Sequence, residues 1–120
     1  MTKKVKPGMS AKEIATLHYD LALDSNKAEW AKTIRTSKRD QIESRGHGPF
    51  YWWNTSQRYK EQYGYTYTFK HKDERQSSDD HIKLFFHRIN NEGKEQGQVP
   101  IHLITDKEDN DEWRVDVSSW

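Results

Sequence analysis

Cysteine is absent from this 120-residue chain. Disulfide frameworks, thiolate zinc sites and cysteine nucleophiles are therefore excluded at the outset. Aliphatic residues are scarce: Leu, Ile, Val and Phe together make up only about 17% of the sequence. That is below the level of roughly 20% at which disorder becomes a live reading, but disorder also requires a large net charge. Here 20 basic side chains oppose 19 acidic ones, for a net of +1. No run approaches the ~18 consecutive apolar residues of a membrane span. Proline is sparse, with three residues, and there is no repeat or collagen-like period. The deficit is met by five Trp, six Tyr and four Phe. These numbers describe one folded domain with a thin core weighted toward aromatics.

Met1 to Met9 is basic, with no apolar stretch behind it, and reads as a flexible tail before a single domain over residues 10–120. Zero cysteine and this basic start fit a cytoplasmic protein and the mature part of an exported bacterial domain alike. Ser10-Ala-Lys-Glu13 is a capping box, and Ile14, Leu17 and Leu21, with Ala15, Tyr19 and Ala22, recur at helical spacing through Leu23. Asp24-Ser25-Asn26 breaks that helix and caps a second, short one that should hold Trp30 and Ile34 one turn apart. Thr36-Ser37 opens a further turn or two around Ile42, which ends at Gly46 to Pro49. Pro49 suits a first helical position and Gly64 a position just past a helix end, so part of Phe50–Tyr63 reads as helix.

Beyond Gly64 the period becomes two. Tyr65, Tyr67 and Phe69 alternate with Thr66, Thr68 and Lys70, and residues 73–80 form a loop. His81–Asn90, Val99–Thr105 and Glu112–Val117 read as three more strands. The short connections between them favour antiparallel pairing. The predicted class is α+β, with N-terminal helices packed on an antiparallel sheet.

That order resembles the nuclear transport factor 2-like (cystatin-like) superfamily. The resemblance rests on the opening helix with Ala15, Tyr19 and Ala22, the Asp-Ser-Asn break, Trp30, and the closing Asp109-Asn-Asp-Glu-Trp113-Arg-Val115. It extends from about Ser10 to Val117, and the layout is most similar to small bacterial lipoproteins and exported domains. The resemblance implies a curved, cone-shaped sheet around the helices, enclosing a pocket. In isomerases, dehydratases and cyclases of that superfamily the pocket carries acid–base residues. In other members side chains fill it and the sheet face serves dimerisation or protein binding.

Candidate site residues follow from both lines. His18 and Tyr19 would face such a pocket, with Asp116 as a strand acid, a set suited to acid–base chemistry. Against that stands a histidine buried and hydrogen-bonded to backbone. Phe50-Tyr51-Trp52-Trp53 cannot all face inward, and Tyr51, Trp52, Tyr59, Tyr65 and Tyr67 are the candidate binding residues, since exposed aromatics bring contact area at little entropic cost. Phe50 and Trp53 read as core. His81, His87 and His102 are strand histidines with no HxH or HExxH pattern, so neither a metal nor a cofactor is expected. A calcium loop starting at Asp106 would need Gly at Asp111 and Glu at Val117, and it has neither.

Six basic residues among positions 35–60, interleaved with aromatics, have the look of a nucleic-acid footprint. The near-neutral chain and the acidic stretch 106–116 argue against it. The expectation is a non-enzymatic binding domain for a small apolar or aromatic ligand or a protein partner, with a homodimer through the sheet face as one option. The alternative is a small pocket enzyme using His18, Tyr19 and Asp116.

Overall fold

The computed structural model describes residues 3–120 and is an α+β domain, helices first and a four-stranded antiparallel sheet after them. Helix α1 (Ala11–Leu23) is capped as its sequence dictates: the Ser10 hydroxyl accepts the Glu13 N–H, and the Glu13 carboxylate accepts the Ser10 N–H. Its buried face carries Ile14, Ala15, Leu17, His18, Tyr19, Leu21 and Ala22. Helix α2 (Lys27–Ala31) starts at the Asn26 cap. A 3-10 segment spans Thr36–Glu43, and α3 (Gly48–Tyr63) runs from Pro49 to a left-handed Gly64. Strands β1 (Thr66–Lys72), β2 (His81–Ile89), β3 (Glu95–Asp106) and β4 (Glu112–Val117) pair in sequence order, and the sheet is not closed.

Tyr67, Phe69, Leu84, Phe86, Val99, Ile101, Leu103 and Val115 line the sheet face that packs on α1, together with Trp30, Ile34 and Trp120. The second helix is shorter than its spacing suggests. It ends at Ala31, and Ile34 instead forms a parallel bridge with Val115. The Arg35 N–H donates to Val115 O and the Val115 N–H to Thr33 O, so residues 33–35 cover the β4 edge. The opposite edge, β1, carries Lys70, His71, Lys72 and a bulge at Phe69/His71, features that discourage further strand addition. β3 begins at Glu95, earlier than its apolar run implies, because Glu95 pairs with Ile89 across a register shift.

The N-terminal segment lies against the body, and Lys3 Nζ is 3.2 Å from the Asp24 carboxylate. The Val5 N–H donates to the Glu29 carboxylate and the Gly8 N–H to the Glu112 carboxylate. Among the described residues, no helix is long and apolar enough to cross a membrane.

Candidate functional site

His18 and Tyr19 sit in the interior, each at 0% exposure. The Thr33 hydroxyl donates to Trp30 O at 2.7 Å, which leaves its oxygen to accept from His18 Nδ1–H, also at 2.7 Å. His18 Nε2 is then the acceptor for the Ser118 hydroxyl at 2.9 Å. The network thus assigns a neutral imidazole with both nitrogens used. Burial pulls its pKa down to about 3.

The Ser118–His18 distance is that of a nucleophile–base pair. Both groups are buried, however, and the rings of Trp30 and Trp120 lie 5.2 and 5.4 Å from the imidazole. The Tyr19 hydroxyl donates to Ser119 O, and burial pushes its pKa up.

Asp116 does not join them. It is the extra residue of a β-bulge, where Val115 and Val117 oppose Leu103 and His102. Its carboxylate is held by Arg35 Nη1 at 2.9 Å and Lys38 Nζ at 3.0 Å. Burial alone would raise its pKa, but hydrogen bonds from Arg35 and Lys38 outweigh that and hold it below the usual carboxylate range. The four best-formed clefts are lined by none of His18, Tyr19 and Asp116. The place a pocket would take is filled by a ring cluster of His18, Tyr19, Trp30, Tyr67 and Trp120. Trp30 Nε1, Trp120 Nε1 and the Tyr67 hydroxyl have no partner in this cluster among the described residues. An unpaired donor costs about 1–3 kcal/mol, whereas burying one aromatic side chain contributes roughly 4–6 kcal/mol, so packing wins.

The five candidate binding aromatics separate by depth. Tyr67 is core, while Trp52, Tyr59 and Tyr65 pack half-buried against it, and Tyr51 stands 52% exposed. Phe50 is not in the core cluster; it is half-buried with its ring edge-on to Tyr51 at 5.5 Å. Tyr63, 45% exposed, stacks on Tyr65 at 4.9 Å, and the Arg88 guanidinium lies over the Tyr65 ring.

The helical spacing of Phe50, Asn54 and Arg58, and of Tyr51 and Thr55, puts them on one side of α3. With Arg45 they line an open cleft of about 310 Å³. None of the ion pairs among the described residues uses Arg45 or Arg58.

The other basic residues of this stretch are engaged. Arg39 Nη2 and Arg114 Nε both donate to Asp109, at 2.7 and 2.8 Å. Asp106 accepts from the N–H and hydroxyl of Thr36. The acidic stretch 106–116 is therefore the internal counterpart of Arg35, Lys38 and Arg39, which accounts for half of the basic footprint seen in the sequence.

The outer sheet face carries Phe85, Pro100, Ile104 and Val117, the last 40% exposed. Beside them His81 Nε2 and His102 Nδ1 are 3.1 Å apart, and His87 pairs with Glu95. Among the described residues no group of three or more His, Asp or Glu side chains is placed to hold a metal. No family model and no curated protein matches the chain.

Residue spacing concealed the partners of His18. Thr33 and Ser118 lie 15 and 100 residues away. Arg45 and Arg58 were visible as charges, but their lack of acidic partners becomes apparent only once the rest of the stretch is paired.

Proposed function

We propose that this is a non-catalytic binding domain that takes its partner on the exposed aromatic face of α3. The observation that carries this reading is the contrast between interior and surface. His18, Tyr19 and Asp116 are each occupied by internal partners, while Tyr51 is outside beside two guanidinium groups with no carboxylate. An aromatic ring bearing a negative charge is the complementary chemistry, with stacking on Tyr51 and charge-assisted hydrogen bonds to Arg45 and Arg58. The helix-then-sheet order supports a nuclear transport factor 2-like fold as the frame of this proposal.

Amide chemical-shift mapping with phenyl phosphate tests it. Saturable shifts should centre on residues 45–58, and Arg58→Gln should weaken binding about tenfold. Shifts centred on His18, Tyr19 and Trp120 would overturn the surface reading in favour of the pocket one.

The outer sheet face supports a second role, self-association through Phe85, Pro100, Ile104 and Val117. Sedimentation should then show a concentration-dependent dimer that Val117→Arg abolishes. A monomer at all concentrations counts against it.

A further inference from the structure

His81 and His102 belong to neither the α3 face nor the buried ring cluster. On β2 and β3, His81 pairs with Ile104 and Lys83 with His102, so the two histidines are diagonal neighbours across the strand pair. Ile82, Leu84, Ile101 and Leu103 turn toward the core, which places both imidazoles on the outer face. Their ring centroids are 5.3 Å apart, and both side chains are half-buried, which limits their rotamer freedom. The facing nitrogens, His81 Nε2 and His102 Nδ1, are separated by 3.1 Å.

A nitrogen pair 3.1 Å apart matches a hydrogen bond, and it also matches two ligands of one metal ion. With metal–nitrogen bonds of about 2.1 Å, that separation subtends about 95° at the metal, between octahedral and tetrahedral angles. We propose that His81 and His102 form a bidentate clamp for a nitrogen-preferring divalent transition metal, Cu2+, Ni2+ or Zn2+, with water completing the coordination. Each neutral ring supplies the lone pair of its facing nitrogen and carries its single hydrogen on the other. Binding therefore needs a tautomer change in one ring and no net proton release.

The surrounding charges keep the clamp at two protein ligands. The Asp116 carboxylate is held by Arg35 and Lys38, and Lys83 lies 3.9 Å from Asp73. Among the described residues no carboxylate joins the two imidazoles in a group of three, so Mg2+ and Ca2+, which take oxygen ligands, find no protein ligand set there. Among the nitrogen-preferring ions, Cu2+ should bind tightest. A bound ion would fasten the start of β2 to β3.

The full chain, purified without a histidine tag, is melted with CuCl2, NiCl2, ZnCl2 or MgCl2, each with and without EDTA. Titration calorimetry on the folded protein supplies the stoichiometry. Cu2+ at about ten times its dissociation constant should raise the midpoint by about 4 °C, with Zn2+ acting more weakly and Mg2+ without effect. Calorimetry should give one Cu2+ per chain. His81→Ala and His102→Ala should each abolish the shift, and His87→Ala should retain it. A shift that survives His102→Ala, an equal shift with Mg2+, or a lowered midpoint from binding to the unfolded chain would overturn the proposal.

Discussion

A histidine with both ring nitrogens occupied and no water contact behaves as a structural residue with an acid-sensitive charge state. His18 titrates near 6.5 in an unfolded chain. In the fold its pKa is depressed to about 3. Between those values the unfolded state binds one more proton than the native state. Stability from this residue is complete above about pH 6.5 and is lost at about 1.4 kcal/mol per pH unit as pH falls toward the folded pKa. Urea unfolding at pH 7, 6 and 5 should show that slope, and His18→Gln should flatten it. An unchanged slope would mean the imidazole is not the source. The sequence offered His18 either facing a pocket or buried and bonded to backbone, and in the fold it is buried but bonded to two hydroxyls. The hydroxyls of Thr33 and Ser118 that make burial tolerable were not legible, because a helical period carries no information about side chains brought from another element.

Among the elements, α3 was the most ambiguous in sequence, since its Phe, Tyr and Trp residues also favour strands. Its ends decided the matter. Pro49 starts it, and Gly64 closes it with φ 62° and ψ 32°. A Cβ at position 64 would sit 2.8 Å from the Cβ of Asn91, a contact that side-chain rotation cannot relieve. Gly64→Ala should therefore cost about 1–2 kcal/mol for the left-handed conformation, and more for the clash. The urea midpoint reads it, and Asn91→Gly in the same chain should recover the clash component. Ile34 shows where periodicity fails. Its spacing from Trp30 fits one helical turn, but the chain turns at Thr33, and the hydrogen bonds of Thr33 O and Arg35 N to Val115 hold Ile34 in a bridge to β4 instead. Asp116 shows it again: strict alternation leaves no room for a bulge, so the register that turns its carboxylate toward Arg35 and Lys38 had no signature in the strand pattern.

At the level of the whole molecule, charge is sorted by pairing a basic segment at residues 35–39 with an acidic one near residue 110. Asp109 joins the two, accepting from Arg39 and from the nearly buried Arg114. Asp109→Asn would leave Arg114 without its counter-charge and should cost about 2–3 kcal/mol, measured as a lower urea midpoint. Stabilisation well below 1 kcal/mol would show that solvent already screens the pair.

The contact between the first helix and the final residues also sets an order of events. His18 lies 100 residues ahead of Ser118, and Trp120 stacks on the same imidazole. At a synthesis rate of about 5–20 residues per second, roughly 5–20 s separate the synthesis of α1 from that of the side chains that seal its aromatic face. During that interval Tyr19 and its neighbours present an unfinished apolar surface. The nascent chain thus passes through a window in which its aromatic-rich interior is open to chaperones and to other chains.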